Sequence, residues 1–396
     1  MDPNQYYGGQ DAALSLSEAE EWATLHAGSD PNSLFTAATT TKSEGLGALS
    51  SRAYSLALAP QLVYASSGLL AQLVSSRAYR QLEFLAVGAF FVFQPASTSD
   101  AASSSTPTLA RIPSTREDVF SASAVPARAK RQLMKFLKFV LDYDADAQAP
   151  LWRPHARAPL AAFLGSAFGL SEELRAYVLA LTLSPDARVS VEDGLPAVRR
   201  HLTSMGVLGP GFAAVYPKWG GTSEIAQVAC RAGAVGGAVY MLGTGIEDVE
   251  AAGGGEEEMR VRLTSGVVVK AKALVRAGEE AHGDGQRVAR LVAVVGSPLS
   301  QLFEAVVEGA PTPGVAVVAF PPGSAGWGND DGSQNPVYAF AHSSDTGECP
   351  SGQSKYSLHH HAIPPHPPPS VVMISNLNTY LRCLSKCFVD NTPLTF

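Results

Sequence analysis

The chain has 396 residues, of which 46% are hydrophobic and 16% are charged, and its formal net charge is -7. This length exceeds one ordinary core, so we expect two domains, and the apolar fraction is too high for a disordered chain. An acidic chain lacks the basic footprint of nucleic-acid-binding proteins, so we expect no nucleic acid partner. The four cysteines are too few for a disulfide scaffold and indicate reduced, cytosolic thiols.

The opening residues MDPNQYYGG are polar, and no window reaches the roughly 18 apolar residues that a membrane span needs. We therefore expect a soluble protein without a secretory signal. The longest apolar run, over 82–93, is interrupted by Glu83 and Gly88. It predicts a buried strand pair, or a strand followed by a turn.

The first predicted helix covers about 18–26, because Ser17 and Glu20 fit a capping box. A second helix is predicted over 68–76, and the low-complexity residues 95–107 predict a mobile surface loop. From Pro126 to about residue 205 the pattern is helical.

Within that helical stretch, apolar residues over 128–143 recur with the spacing of one helix face, and basic residues occupy another face. The apolar stripe includes Leu133, Phe136, Leu137 and Val140. Further helices are predicted around 159–168, 171–183 and 195–205. We interpret the stretch as a separate all-helical domain.

Valine-rich segments predict strands on the carboxyl side of this domain. They cover 238–242, 259–264, 267–275, 290–295 and 315–320, with a hairpin turn at Ser265-Gly266. Because sheet-forming segments flank the helical block, the fold class is α/β with a helical insertion. The predicted domains are a discontinuous sheet domain over 1–124 and 206–355 and a helical domain over 125–205.

Residues 356–396 contain no glycine and one alanine, unlike the rest of the chain. A natural tail, a splice variant and translated non-coding sequence are the alternatives, and we attach no function to the segment. Its histidines 359–361 and 366 lie among prolines, where a disordered polar run is favoured over a metal-binding tract.

Three segments carry candidate binding residues. In 2–9, adjacent tyrosines precede two glycines, which forms either a plain tight turn or a turn that presents Tyr7 as an interface anchor. In 51–60, Arg52 and Tyr54 precede a short strand, and the arginine is either solvated or functional. In 216–242, glycines end a loop and a helix begins at Glu224. Glu224 and Arg231 then share one face, as a surface pair or as a binding site.

The residues Gly243-Thr244-Gly245 resemble the start of a dinucleotide-binding fingerprint. The acidic residues Glu247, Asp248 and Glu250 follow, and they would repel a pyrophosphate, so we interpret the segment as a loop. We find no nucleophile elbow, zinc-protease motif or phosphate-loop lysine in the sequence. The chain therefore predicts binding surfaces rather than catalysis, with no metal and no cofactor.

Six segments in order resemble the family of Rab GDP dissociation inhibitors and Rab escort proteins. They are DPNQYYGG (2–9), RAYSLALAP (52–60), SRAYRQLEFLAVGAF (76–90), RIPSTREDVF (111–120), KRQLMKFLKFV (130–140) and 216–242. The segments at 116–120 and 133–137 resemble the escort branch, as does the loop at 95–107. The segment WGGTSEIAQ (219–227) departs from both branches.

The resemblance implies a sheet domain akin to flavoprotein hydroxylases that has lost its cofactor, together with a helical domain. It also implies a platform that binds GDP-bound Rab GTPases and is formed by Tyr7, Arg52, Tyr54, Glu224 and Arg231. It also implies that the helical domain docks the catalytic heterodimer of Rab geranylgeranyltransferase and receives the geranylgeranyl lipid. The prenyl-binding candidates are the four residues of the apolar stripe. The expected protein is a non-catalytic subunit in the cytosol, with transient membrane contact, and a nuclear pool is an alternative.

The start of this chain departs from the family pattern, and there are two alternative functions. Family members begin with a strand and a G-T-G-L turn, and this chain starts after both, which predicts a sheet without its first strand. One alternative function is a GDP dissociation inhibitor that recycles prenylated Rabs. The other, from a different class, is a flavin-dependent oxidoreductase.

Overall fold

A computed structural model describes residues 1–30, 33–42, 50–96, 106–113, 126–251, 258–276, 287–305, 307–324, 335–362, 381–384 and 387. The helices are α1 (Leu16–Leu25), α2 (Gly68–Ser75), α3 (Ala127–Leu141), α4 (Ala149–Trp152), α5 (Leu160–Phe168), α6 (Glu172–Thr182), α7 (Val191–Ser204) and α8 (Thr222–Val235). The strands of the main sheet are β3 (Val63–Tyr64), β4 (Phe84–Gln94), β5 (Thr108–Arg111), β6 (Ala214–Pro217), β10 (Arg287–Val295), β11 (Val315–Phe320), β12 (Val337–Ser343) and β13 (Ser354–Ala362). The other strands are β1 (Ala13–Leu14), β2 (Leu56–Ala57), β7 (Ile246–Glu250), β8 (Met259–Leu263) and β9 (Val268–Ala271).

The main sheet has the strand order β10-β13-β12-β11-β4-β6-β3, and β5 pairs with β4. Strands β11 and β4 are parallel, and the other pairs are antiparallel. Every residue of β11 is buried, as expected of a valine-rich strand covered on both faces. The predicted α/β class is confirmed, and 82–93 forms one long strand instead of a strand pair.

The sheet extends beyond the predicted boundary at residue 356, and that boundary is wrong. Strand β13 runs to Ala362 and pairs with β10 on one side and β12 on the other. Tyr356 and Leu358 are buried in the core. Histidines 359–361 are therefore strand residues rather than a disordered run, because His359 and His360 pair with both β10 and β12 and His361 pairs with β10. Residue 366 and most of 363–396 lie outside the described residues.

The helical block shares its core with the sheet. Leu133, Phe136 and Val140 of α3 belong to one cluster of buried residues that also contains Phe90 and Val317 of the sheet. The helices predicted in this block are confirmed, with α7 beginning at Val191 rather than near residue 195. Whether the block is a separate domain stays a prediction, since the shared cluster joins it to the sheet.

The second, smaller sheet has the order β7-β8-β9, and its hairpin turn at Ser265-Gly266 is confirmed. The segment 243–245 is a loop that enters strand β7, as predicted. The strand predicted at 238–242 is wrong: these residues form no strand, because Gly236 and Gly237 end α8 and leave the apolar side chains beyond them largely exposed.

Two further expectations concern α1 and the loops. The capping box of α1 uses Ser15 and Glu18, two residues before the predicted pair, and Ser15 N donates to Glu18 Oε2 at 2.8 Å. The loop predicted at 95–107 and the segment at 111–120 lie largely outside the described residues. Among the helices that the structure describes, none is both long and apolar enough to cross a bilayer.

Candidate functional site

The amino-terminal segment forms the turn that its glycines predict. Asp11 N donates to Gly8 O at 2.9 Å, which closes the turn immediately after Tyr7. The Tyr7 side chain is 42% exposed. A half-exposed tyrosine on a closed turn offers apolar area and a hydroxyl at low entropic cost.

This segment is attached to both ends of helix α8. Beyond the carboxyl end of the helix, Asp2 N donates to Met241 O at 2.9 Å and Gly243 N donates to Asn4 O at 2.8 Å. At its amino end, Thr222 Oγ1 donates to Asp11 Oδ1 at 3.5 Å. Tyr7 therefore lies on a segment that is bonded to the first residue of α8 and to residues that follow the helix.

Glycines determine how α8 begins. Gly221 has φ +65°, and a Cβ at this position would lie 2.6 Å from the buried hydroxyl of Tyr216. A side chain is excluded there by both the backbone conformation and the contact. The close approach allows strand β6 to turn directly into α8, so that Glu224 lies in the first turn of the helix.

Glu224 and Arg231 lie on one face of α8, as predicted, and Arg231 Nη2 donates to Glu224 Oε1 at 2.6 Å. The side chain of Arg231 is 56% exposed and that of Glu224 is 15% exposed. The carboxylate therefore holds the guanidinium at the surface while the remaining donors of the arginine stay accessible. A guanidinium oriented in this way suits directional, charge-assisted contacts with a partner.

The segment around Arg52 packs beside the start of α8. Ser55 Oγ donates to Trp219 O at 2.9 Å, which joins it to the loop before the helix. Arg52 is exposed. Tyr54 is only 3% exposed, which corrects the expectation that it belongs to an exposed platform. Its apolar ring is enclosed by the core, while the neighbouring arginine remains in solvent.

A buried polar network beneath this surface was not anticipated from the sequence. Around the carboxylate of Glu348, Tyr216 OH donates to Oε1 at 2.9 Å, Lys355 Nζ lies 2.7 Å from Oε1 and His342 Nδ1 lies 2.8 Å from Oε2. The side chains of His342, Glu348 and Lys355 are fully buried. His342 and Lys355 are cross-strand partners in β12 and β13, so strand register brings them together.

Burial alone would raise the pKa of Glu348, but the nearby Lys355 and His342 outweigh burial and lower it to about 2. Burial and the charge of Lys355 lower the pKa of His342, so this imidazole is neutral near neutral pH. Burial and the adjacent Glu348 raise the pKa of Tyr216 well above its usual range. The network therefore holds one carboxylate and one ammonium, whose charges offset each other.

The network also fixes the loops of the candidate surface. Glu348 O accepts a hydrogen bond from Ser55 N at 3.0 Å, and Thr346 O accepts one from Trp219 N at 2.8 Å. The turn between β12 and β13 thus holds the segment at 51–57 and the loop before α8 together. Its only sequence signal is a glutamate and a lysine within a strand-forming region, which hydrophobic patterning does not detect.

The predicted prenyl-binding stripe lies in the interior of the helical block. Leu133, Phe136 and Val140 are buried, and Leu137 is partly buried against the same cluster. Phe136 contacts Phe168 edge to face, with ring centroids 5.3 Å apart. In this conformation the stripe fills core space, and its lipid role stays a prediction. Among the described residues, no cluster of His, Cys, Asp and Glu could hold a metal ion.

Comparison with known proteins places this geometry in a family. The sequence profile described as GDP dissociation inhibitor matches residues 1–305. The chain belongs to the GDP dissociation inhibitor family. It is 30% identical to a protein of Saccharomyces cerevisiae named Rab proteins geranylgeranyltransferase component A, over 89% of this chain and 55% of that protein. It is 26% identical to a protein of the same name from Candida albicans, over 89% of this chain and 54% of that one. The chain thus spans about half the length of these relatives.

Solved structures confirm the fold of this family member. A crystal structure of a Rab GDI from Plasmodium falciparum is similar with a TM-score of 0.63 and 15% identity, covering 96% of this chain and 79% of that one. An oxidoreductase from Methanosarcina mazei is similar with a TM-score of 0.51 and 13% identity, covering 95% and 83%. These likenesses support the flavoprotein-like α/β fold.

The oxidoreductase likeness raises the question of a bound dinucleotide, and the glycine-rich loop at 243–245 does not fit one. This loop leads into strand β7, so no helix amides point toward a pyrophosphate there. Asp248 and Glu250 lie on that strand and place negative charge beside the loop.

Proposed function

We propose that this protein is a Rab escort protein, which binds GDP-bound Rab GTPases and presents them to Rab geranylgeranyltransferase. The observation that carries the proposal is the Glu224–Arg231 pair, held at the surface of α8 in a member of the GDP dissociation inhibitor family. The names of the yeast relatives favour the escort role over recycling. The protein would act as an accessory, non-catalytic subunit.

The binding step would use the surface around α8. Arg231 supplies the guanidinium donors, Glu224 orients them and Tyr7 adds apolar contact area. Arg52 extends the positive charge along the neighbouring segment. A GTPase switch region changes shape with the bound nucleotide, so directional contacts of this kind discriminate between the GDP and GTP forms.

The lipid step would use the helical block. A C20 geranylgeranyl chain gains roughly 0.8 kcal/mol per buried CH₂, which is a strong driving force for sequestration. Leu133, Phe136, Leu137 and Val140 are packed together in this structure, so lipid entry requires helices α3 and α5 to separate. We expect this block to dock the catalytic heterodimer as well, and the loaded complex to contact membranes transiently from the cytosol.

The second candidate is a GDP dissociation inhibitor that recycles prenylated Rabs, and the family and the Plasmodium Rab GDI fold favour it. An in vitro prenylation assay distinguishes the two. The catalytic heterodimer, GDP-bound Rab and radiolabelled geranylgeranyl diphosphate are mixed with and without this protein. An escort protein makes prenylation depend on its addition. No stimulation, together with extraction of prenylated Rab from vesicles, would instead assign the recycling role.

The flavin-dependent alternative has its own readout. The purified protein should show no absorbance at about 450 nm, where bound flavin absorbs. A stoichiometric flavin spectrum would overturn the assignment as a non-catalytic binding protein.

A further inference from the structure

The loop before α8 exposes an aromatic side chain that the site described above does not use. Trp219 is 51% exposed. Over the part of the chain that the structure describes, the exposed aromatic residues are Tyr7, Tyr79, Trp219 and Tyr240. Tyr7 and Tyr240 lie on segments bonded to or following α8, and Tyr79 lies on the turn that packs against it. Exposed aromatic area is therefore concentrated around this one helix.

Contacts hold both the backbone and the indole ring of Trp219. Its backbone has φ +71°, a conformation that non-glycine residues rarely adopt. Trp219 N donates to Thr346 O at 2.8 Å, and Trp219 O accepts from Ser55 Oγ at 2.9 Å. The ring lies against Gly347, where a Cβ would overlap it. Lys218 Nζ lies 4.7 Å from the ring centroid.

This support is unusual for a side chain that leaves half its surface in water. An unfavourable backbone conformation at a tryptophan persists only where the surrounding contacts hold it in place. Such conformations are concentrated at functional sites. A preorganised, half-exposed tryptophan also loses little entropy on binding, which is characteristic of interface anchors. We propose that Trp219 is an anchor residue for the GTPase, adding an apolar contact beside the Glu224–Arg231 pair. The inference rests on the proposed function and adds a residue to its surface.

The charge around the loop specifies the chemistry of the partner. Arg52, Arg77 and Arg80 are exposed on the segments that surround α8 and its preceding loop, whereas Arg231 and Lys218 are paired with the carboxylates of Glu224 and Glu83. A second copy of this chain would bring like charges together across a two-fold axis, which disfavours self-association. The surface instead suits a protein with an apolar contact patch bordered by carboxylates. On the GTPase, Trp219 would pack on that patch while the arginines contact the acidic rim.

Titration calorimetry with GDP-bound Rab tests the anchor. Trp219→Ala should weaken binding about 30-fold, the scale of a hot-spot truncation, and Trp219→Phe should weaken it only a few-fold because most apolar area remains. Leu208→Ala is the matched control, since Leu208 is a similarly exposed apolar residue outside the α8 segments, and it should leave affinity unchanged. Arg231→Ala, measured in parallel, reports on the proposed function independently.

Iodide quenching supplies a second measurement that does not depend on the alanine variant folding. The difference in fluorescence between wild-type protein and Trp219→Phe isolates the Trp219 signal. Iodide should quench this signal in the free protein, and added GTPase should protect it.

The outcomes of these experiments distinguish the anchor role of Trp219 from the proposed function. Suppose that Arg231→Ala weakens binding, Trp219→Ala leaves it unchanged and the GTPase does not protect Trp219 from iodide. The anchor role of Trp219 is then wrong, and the proposed function stands. No binding by wild-type protein overturns both. A concentration-dependent dimer that Trp219→Ala dissociates would assign the surface to self-association and overturn the anchor.

Discussion

The buried hydroxyl of Tyr216 donates to Oε1 of Glu348, a residue 132 positions later, at 2.9 Å. Tyr216 lies in β6, the strand that leads into the α8 loop, and Gly221 packs on its hydroxyl. Glu348 lies beyond residues 1–305, the part of the chain that matches the family profile. The candidate binding surface therefore depends on a carboxylate contributed by the carboxyl-terminal part of the sheet.

The first prediction concerns this carboxylate. Glu348→Gln keeps the side-chain shape but leaves the fully buried Lys355 ammonium without an opposing charge. Breaking one side of a buried ion pair costs about 3–5 kcal/mol, and we expect a loss of that size in the free energy of unfolding measured with urea.

The double variant Glu348→Gln with Lys355→Met serves as the control. It removes both charges, so most of the lost stability should return. Equal destabilisation in the single and double variants would show that Lys355 and Glu348 are not energetically coupled.

The second prediction concerns acid stability. Burial, assisted by Arg200, lowers the pKa of His201 to about 4 in the folded protein, against an ordinary value of 6.5. Between these values the unfolded chain binds a proton that the folded protein excludes. The contribution of His201 is thus fully present above pH 6.5 and is lost as the pH falls toward 4, by on the order of 3 kcal/mol.

Replacing His201 with leucine should flatten the pH dependence of the unfolding free energy across this window. The control is His155→Leu, since His155 is exposed, and its profile should match the wild type. A His201→Leu profile as steep as that of the wild type would contradict the assignment. Other histidines with lowered pKa values leave a residual slope, including His359, whose pKa is lowered to about 3 by desolvation.

The third prediction concerns the apolar stripe of α3. Phe136 is fully buried, so Phe136→Ala should cost about 3–5 kcal/mol of stability whatever the role of the stripe. Leu137 is partly buried, and Leu137→Ala should lower the affinity for a geranylgeranylated peptide about fivefold, equivalent to ~1 kcal/mol of apolar contact.

Fluorescence anisotropy of a labelled peptide measures this affinity. Lys138→Ala changes the same helix on its solvent side and should have no effect. If Leu137→Ala also leaves the affinity unchanged, the stripe is ordinary core and the lipid binds elsewhere.

The sequence predicted best those elements in which every residue has the same degree of burial. Strand β11 is a continuous buried apolar run, and its bounds were predicted without error. The shift of the α1 capping box has a local cause, because Ser15 with Glu18 and Ser17 with Glu20 both fit the motif. Residues 238–242 have the composition of a strand, but among the described residues no strand pairs with them.

The binding surface was predictable only in part. The spacing of Glu224 and Arg231 predicted their shared face, since helical geometry is local. The burial of Tyr54 and the pairing of β13 depend on contacts with segments far away in the chain. The Glu348 network also depends on contacts between distant segments. A lysine in the sequence indicates a surface residue, and only the strand register shows that Lys355 lies opposite His342.

The most direct test of the account is the affinity of this protein for Rab loaded with GDP or with a non-hydrolysable GTP analogue. Calorimetry should show tighter binding of the GDP form, and Arg231→Ala should weaken that binding at least about tenfold while thermal unfolding is unchanged. Cys230→Ala, which changes another face of the same helix, should leave the affinity unchanged. Equal affinity for both nucleotide forms, or an Arg231→Ala variant that binds like the wild type, would contradict the claim that the α8 surface recognises the GTPase.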